Sequence, residues 1–302
     1  MAKQANDSTR VFENETSFHK RDLLLHPNSP TAEKYCRAIY YFDTASQVLN
    51  TYEKDKVENL KDCENLRPAF QNIVYGFICE NSLFKPLRSP EKTLVLIDEY
   101  LSLKPNDIFA EYAHLIIFGE ICRKQKRGEN LLSDFESAKS YIKSGELLAL
   151  KLSLNVDSQP CQRSILIDIY YYLGAKYVST GQPERALDSF QKSFDLDNSN
   201  CSALYGIAYH HMQTDPDKAI ELFKKFISMA PECEKQYPNA FYMIASIYML
   251  KKNFDKALQY CSLAEDAEKK RLPFLAPVDI PQKMIMQQLK YILPQMKNMI
   301  MK

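Results

Sequence analysis

Apolar residues recur every three or four positions along most of the chain, which is the spacing of one face of an α-helix. The first stripe begins after Ser29 and Pro30, which suit the N-cap and first turn of a helix. Its members are Tyr35, Ile39, Phe42, Val48, Leu49 and Tyr52. We predict that Pro68 opens a second helix and that Pro90 opens a third. Because two-residue alternation and Asn-Gly or Asp-Gly turns are absent, the pattern predicts an all-α fold.

A longer period appears in the C-terminal half. Residues 167–200 resemble a 34-residue tetratricopeptide repeat, with Ile167 at motif position 1. The matching residues are Tyr170, Leu173, Gly174, Tyr177, Ala186 and Phe190, and Asn198 replaces the closing proline. In this motif, small residues at positions 8 and 20 let two helices approach, while large apolar residues at positions 4, 7, 11 and 24 fill the space between repeats.

Two further units resemble the same repeat. The second occupies 201–233 and the third follows a longer connection around 232–238. The second unit has Leu204, Ile207, Ala208, Ala219, Phe223 and Pro231 at matching positions. The third has Phe241, Ile244, Ala245, Tyr248, Ala257, Cys261 and Ala264. The resemblance implies a tetratricopeptide-type α-solenoid of antiparallel helix pairs.

The resemblance also suggests how the chain is divided. We expect a flexible tail over 1–28, degenerate helical repeats over 29–158, clear repeats over 159–270 and a capping helix over 271–302. The last segment has an apolar helical stripe, interrupted by Pro294, and basic residues without acidic ones over 280–302. It could cap the array, fill the groove of the array, or contact a partner or a membrane surface.

Composition argues against several kinds of chemistry. The seven glycines are too far apart for a glycine-rich phosphate loop. The eight cysteines and five histidines form no zinc-ligand or metalloprotease pattern, so we predict no catalytic residues, metal or cofactor. The net charge of +1 gives no overall attraction to nucleic acid. The polar N-terminus carries no secretory signal, so we expect the cytoplasm, the nucleus or both.

In the arrays that this repeat family forms, the first helices line a concave groove through motif positions 2, 5, 6, 9, 12 and 13. Here that set includes Val178 and Leu250. The candidate partner-binding residues at these positions are Tyr171, Tyr172, Tyr205, Tyr209, Met212, Tyr242, Met243 and Met249. The basic residues that hold a terminal carboxylate in chaperone-binding relatives are absent from them. A tyrosine and methionine surface suits an apolar peptide or helix, so we predict a non-enzymatic adaptor or scaffold subunit of a larger complex.

An alternative is RNA binding. Groove tyrosines could stack on bases, and the basic runs 123–127 and 269–271 could contact phosphates. The near absence of lysine and arginine at the groove positions argues against this alternative.

Overall fold

The computed structural model describes residues 30–52, 57, 60–79, 90–125, 131–154, 160–230 and 236–270, together with Tyr291 and Gln295. The described residues form α-helices joined by short turns and contain no strand. The chain divides into two compact units, Met1–Ile165 and Leu166–Lys302. The predicted tail over 1–28 lies outside the described residues, as does the predicted cap over 271–302 apart from the two single residues.

Eleven helices are present in these ranges. The first unit contains α1 (Pro30–Leu49), α2 (Leu60–Cys79), α3 (Pro90–Leu103), α4 (Ile108–Gln125) and α5 (Leu131–Ser153). The second unit begins within α6 (Pro160–Ser179) and continues with α7 (Pro183–Leu196), α8 (Cys201–Thr214), α9 (Pro216–Met229), α10 (Tyr237–Leu250) and α11 (Phe254–Lys270). Within the first unit α1 packs on α2, and α4 packs on α2, α3 and α5. Within the second unit each helix from α7 to α11 packs on the next. Where a short turn joins two such helices, the pair is antiparallel. The all-α prediction is confirmed.

Proline marks the start of many helices, because the first turn of a helix has no partner for the N–H that proline lacks. Pro30, Pro90, Pro160, Pro183 and Pro216 each begin a helix. The prediction for Pro68 is wrong, since α2 begins eight residues earlier at Leu60 and Pro68 lies inside it. Both Pro68 and Glu64 are exposed, so water can reach the Glu64 carbonyl that the proline leaves without a helical donor.

A single carboxylate organises the turn between α3 and α4. Oδ2 of Asp107 accepts hydrogen bonds from Nε of Arg67 at 2.9 Å and from the hydroxyl of Tyr100 at 2.7 Å. Its Oδ1 accepts from the backbone N–H groups of Phe109 at 3.0 Å and Ala110 at 3.3 Å, which caps α4. Asp107 therefore ties α2, α3 and the start of α4 together.

The second unit contains a turn with the same spacing. Asn200 caps α8 by accepting from the backbone N–H three residues later at 3.1 Å. Its Nδ2 donates to Oγ of Ser193 at 3.0 Å, and the Ser193 hydroxyl donates to the carbonyl of Ile167 at 2.8 Å. Asn200 follows Ser193 by seven residues, just as Asp107 follows Tyr100. The two turns thus join three consecutive helices by the same device in both units.

An aromatic ring fills the space between three helices of the second unit. Phe190 of α7 is buried, and a Cβ placed on Gly174 of α6 would lie 2.6 Å from its ring. A Cβ on Gly206 of α8 would lie 2.8 Å from the same ring. Because real Cβ atoms do not come so close, both positions need glycine for the helices to approach as they do. The first unit pairs Gly76 with Phe42 and Gly119 with Tyr141 in the same way.

The small motif positions behave as predicted. The alanines at positions 8 and 20 are all buried: Ala186, Ala208, Ala219, Ala245 and Ala257. They let paired helices pack closely while Leu204 and Phe223 fill the adjoining core. The small and large positions of the repeat therefore form the core of the second unit.

Replacing Asp107 by alanine removes a cap and leaves the buried hydroxyl of Tyr100 without its acceptor. We expect the free energy of unfolding to fall by about 2–4 kcal/mol, measured by urea denaturation followed by circular dichroism. As a control, Asp98→Ala removes an exposed carboxylate that pairs with His114 at 3.2 Å. That change should alter stability by less than about 1 kcal/mol. Equal losses for the two variants would contradict the role of Asp107.

Gly206→Ala tests the insertion of the Phe190 ring. Alanine favours a helix by about 1 kcal/mol over glycine, but overpacking against the ring is worth about 1–3 kcal/mol in the opposite direction. We expect a net loss of stability in the wild-type background. In a Phe190→Leu background the same substitution should cost less, because leucine lacks the ring edge. An identical effect in both backgrounds would show that the ring does not set the spacing.

Candidate partner-binding surface

Helix α8 has two faces of different character. Its buried side consists of Ala203, Leu204, Ile207 and Ala208. None of its four predicted groove positions is buried: Tyr205, Gly206, Tyr209 and Met212. In an α-helix the centre of this second set lies opposite the first. Of the predicted groove positions on α8, Tyr209 is exposed, whereas Tyr205 and Met212 also pack on the core and Gly206 faces the Phe190 ring.

The two tyrosines of α6 are only partly accessible. Tyr171 and Tyr172 contact each other edge to face, with ring centroids 5.1 Å apart. Tyr171 also contacts Phe190, at 6.0 Å between centroids. Further along α6, Val178 is exposed. The accessible apolar residue at the end of α6 is thus Val178 rather than either tyrosine.

The α8 candidates differ in how far they are exposed. The ring of Tyr205 lies 5.4 Å from those of both Phe223 and Phe226, which holds it against α9. Met212 is partly buried against the same core. Tyr209, at 48% exposure, is the most accessible of the eight candidates. It is the side chain on α8 that a partner could cover with the largest gain.

The structure departs from the sequence prediction at Tyr242 of α10, which is only 3% exposed. Its hydroxyl donates to Oε1 of Glu268 at 2.9 Å, and burial raises its pKa, with the bond to Glu268 acting in the same direction. The ring packs on the core formed with α11, which has 17 residues where α7 and α9 have 14. Glu268 belongs to that extra length, and it turns Tyr242 into a packing residue.

The remaining α10 candidates lie closer to the surface. Met243 and Met249 are partly buried, and Leu250 at the end of the helix is 75% exposed. Met243 packs on the same core as Tyr205 and Met212, so the structure brings these three candidates together. Met249 instead packs with Tyr242 on the core formed with α11. The eight candidates are therefore shared among separate packing clusters.

Helices α8 and α10 differ in charge from α7, α9 and α11. Helices α8 and α10 contain no Asp, Glu, Lys or Arg. Partial burial lowers the pKa of His211, and Lys218 and His210 act in the same direction. We call the uncharged surface of these helices and the end of α6 the A-helix face. It comprises Val178, Tyr209, Met212, Met249 and Leu250.

Sequence reasoning missed an apolar patch in the first unit. Leu147, Leu150 and Leu154 are exposed at the end of α5, on the side opposite its buried residues. Their spacing of three and four residues was visible in the sequence. These leucines do not occupy groove positions of the repeat pattern, so the resemblance did not point to them.

The described ranges contain neither a metal-binding cluster nor a membrane-spanning helix. Within them, no group of three or more His, Cys, Asp or Glu side chains is arranged to hold a metal ion. Over the same residues, no helix is both long enough and apolar enough to cross a membrane.

The helix pair α10 and α11 coincides with a known family pattern. Residues 238–270 match the family model described as the tetratricopeptide repeat. This helix pair is therefore a tetratricopeptide repeat. Repeats of this family are generally interaction modules for other proteins rather than catalysts, and the recognition made from the three repeat patterns is confirmed.

Solved structures resemble the tetratricopeptide repeat chain in fold. The anaphase-promoting complex hetero-tetramer Cut9-Hcn1 matches with a TM-score of 0.51 and 12% identity, over 93% of this chain and 46% of that one. MamA matches with a TM-score of 0.45 and 19% identity, over 60% and 90% of the two chains. YrrB, a TPR protein with an unusual peptide-binding site, matches with a TM-score of 0.46 and 20% identity, over 75% and 94%. No curated protein matches the sequence.

Tyr242→Phe tests whether the Tyr242 hydroxyl is structural. Loss of its bond to the Glu268 carboxylate should lower the free energy of unfolding by about 1–3 kcal/mol at pH 7. Tyr209→Phe is the matched control, because the half-exposed ring of Tyr209 should tolerate the change within about 0.5 kcal/mol. Chemical denaturation of the two variants compares them, and equal effects would contradict the assignment.

The same variant gives an alkaline pH dependence. In the unfolded chain Tyr242 loses its proton near pH 10, whereas in the folded chain its pKa is raised and it keeps the proton. Above that pH the folded state binds more protons than the unfolded state, so the contribution of Tyr242 to stability falls as the pH rises. The stability difference between wild type and Tyr242→Phe should therefore narrow from about pH 9 to about pH 11. A constant difference over this range would contradict the raised pKa.

Proposed function

We propose that the protein is a non-enzymatic adaptor or scaffold subunit of the cytoplasm or nucleus that binds a segment of a partner protein on the A-helix face. The observation that carries this proposal is the combination of exposed apolar side chains and absent charge on one set of helices. Exposed apolar groups of this kind are typical of interaction sites. Helices α7, α9 and α11 instead carry the charged residues expected of a solvated surface.

Energetics indicate how much of the face a partner must cover. Val178, Tyr209 and Leu250 are half to three-quarters exposed, so burying each adds about 1–2 kcal/mol. Association itself costs about 4–15 kcal/mol. Burial of these three side chains therefore does not offset the cost of association with a useful surplus. The partner must also cover Met212 and Met249. A segment that spans α8 and α10 meets this requirement.

The charge distribution favours a protein segment over RNA. Phosphate groups need lysine or arginine, and α8 and α10 contain neither. Of the basic runs considered for RNA, the side chains of 123–127 lie outside the described residues. In the other run, Lys269 pairs with Asp266 at 3.2 Å.

Selection of short linear peptides from a random display library, with the full chain as bait, tests this proposal. We expect the best peptide to lose about ten-fold or more in affinity for Tyr209→Glu, because a carboxylate would interrupt the apolar face. Leu263→Glu is the control, since Leu263 is 41% exposed but lies on α11. Both variants should keep wild-type stability within about 0.5 kcal/mol. Equal loss of binding in the two would argue against the A-helix face.

A further inference from the structure

The absence of charge extends over the whole of α8 and α10, including their polar positions. The two helices α8 and α10 carry no formally charged residue, whereas α7 and α9 carry five each and α11 carries seven. The polar groups that α8 and α10 offer are hydroxyls, amides and imidazoles, such as those of Ser202, Tyr209 and Gln213. Hydrogen bonding is therefore available on this face, but a full charge is not.

Two charged groups next to these helices are engaged in bonds of their own. Lys251, which follows α10, forms an ion pair with Asp217 of α9. Asp215, which follows α8, accepts the backbone N–H of Lys218 at 3.1 Å as the cap of α9. These groups lie at the ends of the helices and stabilise turns. Both groups therefore already have a partner.

This neutrality has a consequence for any ligand that displaces water from the face. A charged side chain that loses its hydration must regain the energy from an opposite charge or from several hydrogen bonds. Among the side chains of α8 and α10 there is no charge of either sign. An acidic and a basic side chain should therefore be rejected to a similar extent, in contrast to a groove that carries its own charges.

We propose that the partner segment contacts the A-helix face only through uncharged side chains, and that the face discriminates against acidic and basic residues alike. This inference rests on the proposed function and adds the chemistry of the partner to it. The ligand class is an uncharged apolar stretch of protein, with neutral hydrogen-bonding groups. Phosphorylated segments, acidic segments and terminal carboxylates fall outside that class.

A charge scan of the best selected peptide tests this inference. Contact positions are those where alanine weakens binding to the wild-type chain. Each contact residue is then replaced in turn by Gln, Glu and Lys. We expect Glu and Lys each to weaken binding by about ten-fold or more, and Gln by much less, because only charge requires a counter-charge. Loss of similar size for both signs is the result specific to an uncharged face.

Charged variants of the protein provide the reciprocal measurement. Tyr209→Lys should create a preference for the peptide carrying Glu over the peptide carrying Lys, and Tyr209→Glu should create the reverse preference. Leu263→Lys on α11 should leave the wild-type pattern unchanged. The matched pair thus reports whether the charge is felt at the bound peptide rather than over the whole protein.

The opposing outcomes are distinct. A wild-type preference of about ten-fold for one sign of charge, or a requirement for the free peptide carboxylate, would overturn the inference while leaving the adaptor function standing. Displacement of the peptide by single-stranded RNA would also overturn it. A library that yields no binding peptide, or peptides insensitive to Tyr209→Glu, would instead contradict the proposed function itself.

Discussion

The second unit depends on one aromatic ring that enters the space between three helices. Phe190 projects from α7 towards α6 on one side and α8 on the other, and both neighbours meet it with glycine. Because a methyl group on either glycine would collide with the ring, this contact fixes the separation of the two first helices. It also supports Tyr171, which rests against the same ring. The distance between α6 and α8 on the A-helix face is therefore set by Phe190, which is buried beneath that face.

The turns supply the second constraint. Asp107 and Asn200 occupy equivalent places between a second helix and the next first helix, and each bonds a side chain seven residues earlier. A carboxylate with a tyrosine in one unit is replaced by an amide with a serine in the other. The first unit matches the repeat pattern less well in sequence, yet it has the same turn geometry. A turn that caps one helix and holds another therefore tolerates a change of residue type when donor and acceptor are both replaced.

Much of the fold could be predicted from the sequence because the repeat positions are set by local helix packing. A small residue at position 8 or 20 faces its partner helix whatever lies elsewhere, so Ala208 and Ala219 are buried as expected. Exposure at the surface is harder to predict, because it depends on how far a neighbouring helix extends. Tyr242 matches a groove position, but the extra length of α11 places Glu268 against its hydroxyl. Pro68 shows a related limit. The sequence pattern predicts that a helix begins there, but an exposed helix face can accommodate a proline in its interior.

The absence of charge on α8 and α10 also bears on how the chain is synthesised. Helix α10 has no ion pairs between its own side chains to keep it helical in water, and its stability comes from α9 and α11. During translation it emerges before α11, so its buried side stays uncovered until the next helix is made. A chain that stopped after Leu250 would retain that surface permanently. The feature that makes a neutral face in the folded protein thus makes a truncated product prone to aggregation.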